Sequence, residues 1–141
     1  IDYIAINTTG NAVDFGDCTA VAPQNQMFAS TTRAMINRVG TGDPSTTTNV
    51  VTIASTGDAT AFGDLASGIS TGTAAATSGN TRGIVAGGDN DSGNINVIQY
   101  THIANSANFT DFGDLQAAKE DVAGCSNGHG GLDVYDPTTR A

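Results

Sequence analysis

Asp14-Phe15-Gly16-Asp17-Cys18 returns as Ala61-Phe62-Gly63-Asp64-Leu65, and again as Asp111-Phe112-Gly113-Asp114-Leu115. The three phenylalanines are 47 and 50 residues apart. A fixed period of this size means one structural unit built repeatedly. It also argues against chemistry at these residues, because a residue type present once per unit serves packing first.

The repeat extends upstream. Ile6, Ile53 and Ile103 each stand nine residues before their phenylalanine. Between them lie Thr9-Gly10-Asn11-Ala12, Thr56-Gly57-Asp58-Ala59 and Ser106-Ala107-Asn108-Phe109. Gly and Asn tolerate positive φ, and Asn or Asp side chains bond nearby backbone, so each stretch reads as a hairpin turn. Second turns follow at a common phase: Ser30-Thr31-Thr32-Arg33, Ser78-Gly79-Asn80-Thr81-Arg82 and Ser126-Asn127-Gly128-His129. Apolar runs come next, at Ala34–Val39 and Gly83–Ala86, the latter ending in Gly87-Gly88.

Each period thus holds about four short apolar-rich segments separated by turn chemistry. They are too short for helices, and their β-branched and Gly-rich composition points the same way. The expected strands are 2–7, 12–18, 26–30, 33–39, 48–54, 59–65, 73–77, 82–87, 95–104, 109–115, 121–126 and 130–135. That makes three sets of four in an all-β chain, read as one repeat domain over 1–141. The most helix-like stretch, Leu115–Val122, falls in repeat register on a connection between strands.

Composition narrows the classes. Charged residues make up 13% of the chain and the formal net charge is −9. Five basic residues against fourteen acidic ones argue against nucleic acid or an anionic membrane as a partner, since both are bound by displacing counterions. No apolar run approaches the ~18 residues of a membrane-spanning helix. No signal peptide is visible. The chain opens on Ile1 in mid-repeat, which reads as a processed chain or part of something longer. Abundant Thr, Ser, Asn, Gly and Ala with little charge suits a fibrous or surface-exposed β protein that needs partner chains to finish its core.

A four-stranded unit near 50 residues, with Gly87-Gly88 after one strand and an aromatic later, resembles the Kelch-type β-propeller blade. Asn94-Ile95-Asn96-Val97-Ile98-Gln99-Tyr100 looks like the next Kelch strand, and Leu132-Asp133-Val134-Tyr135-Asp136-Pro137-Thr138-Thr139 is similar to a Kelch "V-Y-D-P-x-T" phrase. Phe15, Phe62 and Phe112 stand where those blades carry tryptophan, and this chain has none. A closer resemblance is to repeats of the form "N-x-I-x-Y-x-x-I-A-x-x-G-N-A-T-D-F-G-D-L", of structural proteins of tailed bacteriophages with marine and cyanobacterial hosts. Ile1–Cys18, Asn49–Leu65 and Asn94–Leu115 carry that form. The resemblance implies a virion component at the particle surface: a tail fibre, host-adhesion appendage or capsid decoration.

Three blades leave open edges, since propellers close with about four to eight and free edges invite another chain. The chain starts with the third strand of a blade and ends with the second, so its termini can complete a blade together, within one chain or between two. Two copies then close a six-bladed ring. A segment of a longer fibre and a non-propeller β filament are the other readings. Expected partners are further copies or other virion proteins.

Sites for chemistry are sparse. Asp-Phe-Gly is a kinase motif, but here it repeats and no Gly-rich loop or strand lysine accompanies it. Its reading is structural: Phe15, Phe62 and Phe112 as apolar payload; Gly16, Gly63 and Gly113 for a tight backbone or a bulge; Asp17, Asp64 and Asp114 as acceptors in turns. No cofactor and no catalytic residue is expected. Asp89, Asn90, Asp91 and Asn94 form an oxygen-rich loop that reads as a solvated turn, with a weak divalent-cation site at Asp89 and Asp91 as the rival. Cys18 takes the slot of Leu65 and Leu115 and reads as a small hydrophobe. A disulfide to Cys125 requires the termini to meet. His102 and His129 lack companion ligands for zinc. The functional readings are a virion structural protein and, as alternative, a lectin-like propeller module for a host surface glycan; no acid–base pair favours an enzyme.

Overall fold

The computed structural model describes residues 1–22, 24–39, 44–70 and 73–126. Ten strands lie among them: β1 (Asp2–Tyr3), β2 (Val13–Asp14), β3 (Asn25–Ala29), β4 (Arg33–Arg38), β5 (Ser45–Thr52), β6 (Thr60–Ile69), β7 (Ala75–Ser78), β8 (Arg82–Ala86), β9 (Val97–His102) and β10 (Thr110–Asp114). The fold is all-β, with no helix among the described residues. The strands form three antiparallel sheets: β1-β2, then β3-β4-β5-β6, then β7-β8-β9-β10. The sheets are called first, second and third below.

The two four-stranded meanders follow the period of the sequence. In each, the tight turn between the first two strands is closed by the same bond: Ser30 N–H donates to Arg33 C=O at 2.9 Å, and Gly79 N–H to Arg82 C=O at 2.9 Å. Each meander ends on the Phe-Gly-Asp signature, which carries a β-bulge. Thr48 pairs with Gly63 and Asn49 with Ala61, leaving Phe62 as the extra residue. Ile98 pairs with Gly113 and Gln99 with Asp111, leaving Phe112 extra. A bulge re-aims the side chain and bends the strand. Glycine after the phenylalanine keeps that bend free of a Cβ.

The hydrophobic core lies between the second and third sheets. Phe28, Met35, Val50, Phe62 and Leu65 of the former meet Val85, Ile103 and Phe109 of the latter's half in one buried cluster. The Phe28 ring lies on the bare Cα of Gly83, where any Cβ would collide with it. It meets Phe109 edge to face at 6.2 Å between centroids, a favoured aromatic geometry. Beside it the first strands of the two sheets are tied by Ser78 Oγ donating to Ala29 C=O at 2.6 Å. Two buried polar groups of β4 and β5 pair with each other: Thr48 Oγ1 donates to Asn37 Oδ1 at 2.8 Å.

Several expectations need correction. Residues 121–126 form no strand. Asp121 has a positive φ of 53°, and the chain here is held at two points rather than along a ladder: Lys119 N–H donates to Ile95 C=O at 3.1 Å and its C=O accepts from Gly88 N–H at 2.8 Å, while Val122 N–H donates to Thr73 C=O at 3.2 Å and Asp121 Oδ1 accepts from Thr73 N–H at 3.3 Å. The expected partner of that strand, 130–135, lies outside the described residues, as do His129 and Tyr135. Segments 2–7 and 12–18 shrink to two-residue strands, with no third strand beside them among the described residues. By contrast β6 runs on past 65, to Ile69. Leu115–Val122 is the connection that its repeat register predicts, with no helical turn.

Candidate functional site

The Phe-Gly-Asp signature is where one sheet meets the turn of the next. Ala59 N–H donates to Asp17 C=O at 2.8 Å, and Gly57 N–H to Phe15 C=O at 2.7 Å. Asp17 N–H donates to Asp58 Oδ1 at 3.0 Å. One period later Phe109 N–H donates to Asp64 C=O at 2.8 Å, and Asp64 N–H to Asn108 Oδ1 at 3.0 Å. In both places the signature glycine lies against the turn backbone. A Cβ on Gly16 would run into Gly57 O, and one on Gly63 into Ala107 O. Glycine is thus required by close approach of two backbones.

Arginine adds a second clamp. Arg33 leaves its sheet and donates to Ile103 C=O at 2.8 Å and Ala104 C=O at 3.1 Å, at the start of the next unit's turn segment. Its guanidinium also sits 5.7 Å from the Phe62 ring centroid. Amides add a third. Ser67 N–H donates to Gln99 Oε1 and Gln99 Nε2 to Ser67 C=O, both at 3.1 Å. At the preceding interface Asn49 Oδ1 accepts from Thr19 N–H at 2.8 Å and Thr19 Oγ1 at 2.9 Å.

The three signature phenylalanines differ in burial. Phe62 is 3% exposed, covered by the third sheet, while Phe112 is 56% exposed. Phe15 is half-buried. Gly113 has nothing within 4 Å of its Cβ position. The turn side is graded the other way: Ala59 and Phe109 are buried, and Ala12 is exposed. Ile103 is 2% exposed, yet Ile53 is 44% and Ile6 95%. The isoleucine and phenylalanine positions are therefore core only where a neighbouring sheet covers them, which corrects the reading of all three phenylalanines as buried payload.

Asp17 and Asp64 act at these joints through their main chain. The carboxylates that cap turns are those before the phenylalanine: Asp14 Oδ1 accepts from Gly16 N–H at 3.1 Å and Asp111 Oδ1 from Gly113 N–H at 3.0 Å. Asp114 lies exposed at the end of β10. The oxygen-rich loop is a tight turn. Asp89 Oδ1 accepts from Asp91 N–H at 2.9 Å and Ser70 Oγ at 3.2 Å, and Asn90 Oδ1 from Ser92 N–H at 3.2 Å. These oxygens therefore hold the loop's own backbone and the Ser70 side chain after β6. Among the described residues no three His, Cys, Asp or Glu side chains gather as a metal group. Cys18, half-buried, and Cys125, exposed, are free thiols.

No protein-family model matches this chain, and no curated protein matches it in sequence.

Arg33, Gln99 and Asn49 were not singled out by the sequence. Arginine at the same phase in two periods was the available signal for the first. For the amides none exists, because Gln99 and Asn49 occupy one position with different side chains. The cleft beside the third sheet, about 420 Å³ and lined by Ala75, Ala86, Leu115, Lys119 and Val122, is mainly apolar and presents no paired acid and base.

Proposed function

We propose that this chain is a non-enzymatic structural component of a tailed-bacteriophage particle, a tail-fibre, host-adhesion or capsid-decoration element built from Kelch-like β-propeller repeats. The observation that carries the reading is that the signature residues are engaged in joining one sheet to the next. A chain whose most regular residues hold sheets in series is suited to being a rigid scaffold. The two four-stranded meanders in one period support the blade reading, and the resemblance of Asn49–Leu65 and Asn94–Leu115 to phage repeats supports the particle. The low charge and Thr-, Ser- and Asn-rich composition fit an exposed surface.

A tryptic peptide running from Gly83 to Lys119 identifies the chain. It is expected in banded marine phage particles and lost from the soluble fraction of lysed hosts. Its presence in host soluble protein without particles contradicts the reading.

A lectin-like role is the second reading, favoured by one observation. Tyr100 and Phe112 meet edge to face at 5.9 Å, with Arg82 5.1 Å from the Tyr100 ring, on an exposed face. Such a platform suits the apolar face of a sugar. A glycan array separates the two: binding lost on Phe112→Ala or Asn90→Ala supports the lectin, and background signal throughout supports the scaffold.

A further inference from the structure

We propose that the uncovered face of the third sheet, Phe112-Gly113-Asp114 with Arg82, docks head to tail onto the β1–β2 turn of a second copy of this chain. The proposal does not depend on the virion assignment. It rests on one interface that the chain makes twice, and on both halves of a third standing open among the described residues.

The correspondence is position by position. Gly16 and Gly63 each lie under a turn, and Gly113 is bare. Phe62 is covered and Phe112 is 56% exposed. The Tyr3–Phe15 pair, 6.1 Å and 86°, repeats in the Tyr100–Phe112 pair, 5.9 Å and 81°, so the bulged phenylalanine is set alike in first and third sheets. Arg33 reaches the carbonyls of Ile103 and Ala104, while Arg82 at the same phase lies over its own sheet's Tyr100.

The complementary half is at the other end. Gly10-Asn11-Ala12 corresponds to Gly57-Asp58-Ala59 and Ala107-Asn108-Phe109. Asp58 and Asn108 offer the side-chain oxygen that takes the aspartate N–H, and Asn11 carries the same oxygen. Ala59 and Phe109 are buried by the contact, and Ala12 is exposed. Ile6, 95% exposed, stands where Ile103 is buried.

In the docked pair, Asp114 N–H donates to Asn11 Oδ1 of the second copy, Ala12 N–H of that copy donates to Asp114 C=O, and Arg82 reaches its Ile6 and Asn7 carbonyls. Phe112 enters the place that the third sheet gives Phe62. Such a contact is heterologous: one face meets a different face, so copies join in a closed ring or an open row.

The test is native mass by light scattering on the full chain, across a dilution series. The wild type is expected above the 14.2 kDa of one chain. Phe112→Asp, on the docking face, and Ala12→Lys, on the turn, are each expected to weaken assembly about thirtyfold or more, as for a hot-spot residue. Arg82→Ala is a milder variant of the same face should Phe112→Asp lose its β circular dichroism. Mixing Phe112→Asp with Ala12→Lys restores one intact joint and is expected to give a discrete heterodimer. A monomeric wild type at every concentration, closed on its own turn or otherwise, overturns the proposal. So does an oligomer that both variants leave unchanged.

Discussion

The amide of Phe109 donates to the carbonyl oxygen of Asp64 at 2.8 Å, and the amide of Ala59 donates to that of Asp17 at the same distance. Equivalent residues of successive repeats thus make the same bond across successive sheets. The regularity of the chain is a regularity of joints, and each joint brings two backbones too close for any residue but glycine on one side.

Phe62 and Phe112 share a motif and differ in cover. Phe62→Ala removes a ring buried in the shared core, and the expected loss is about 3–5 kcal/mol. Phe112→Ala, measured on dissociated chains, is expected to cost less than about 1 kcal/mol, as for a surface change. Denaturant unfolding of the two variants checks the contrast; equal losses would contradict it.

Gly63→Ala places a methyl group into the Ala107 backbone. Overpacking of this kind costs about 1–3 kcal/mol. Gly10→Ala meets nothing within 4 Å, and its effect on the isolated chain is expected to stay within about 0.5 kcal/mol. Thermal unfolding midpoints at matched concentration separate them.

The four-strand grouping, the turns at 30–33 and 78–82 and, as one of two readings, the bulge at Phe62 and Phe112 were legible in the sequence, because turn residues and a repeated Phe-Gly-Asp set them locally. Burial was not legible. Phe112 and Ile6 look like Phe62 and Ile103 in sequence, but what covers them is another sheet, and a sequence period does not say which unit lacks a neighbour. The strand at 121–126 failed similarly: its apolar Val122 and Ala123 fit a ladder, yet the chain there is held at two points, around Lys119 and around Asp121 and Val122, and Asp121 takes a positive φ.

Gln99 is fully buried and bonds Ser67 at two points. Gln99→Leu leaves the amide and carbonyl of Ser67 without those partners, at less than the about 1–3 kcal/mol of a fully buried stranded group, because Ser67 is half-buried. The expected outcome is a cooperative transition at lower denaturant with an unchanged slope. A variant as stable as wild type would show that this pair contributes nothing to joining the sheets.

Arg33→Ala removes charge-assisted bonds to Ile103 and Ala104, worth about 1.5–3 kcal/mol to a well-held partner and less here, where the guanidinium is half-exposed. Arg82→Ala is expected to leave the stability of the dissociated chain unchanged and to weaken assembly. Unfolding and light scattering on both variants read the two effects separately.

Amide hydrogen exchange on the Phe112→Asp chain tests most directly whether the repeated signature is a joint between sheets. Exchange reports the opening of individual backbone bonds. Gly57, Ala59 and Phe109 are predicted to be protected to the level of the β4 and β8 amides, while Ala12, the same position in an undocked turn, exchanges fast. Ala59 and Phe109 exchanging as fast as Ala12 would contradict the account.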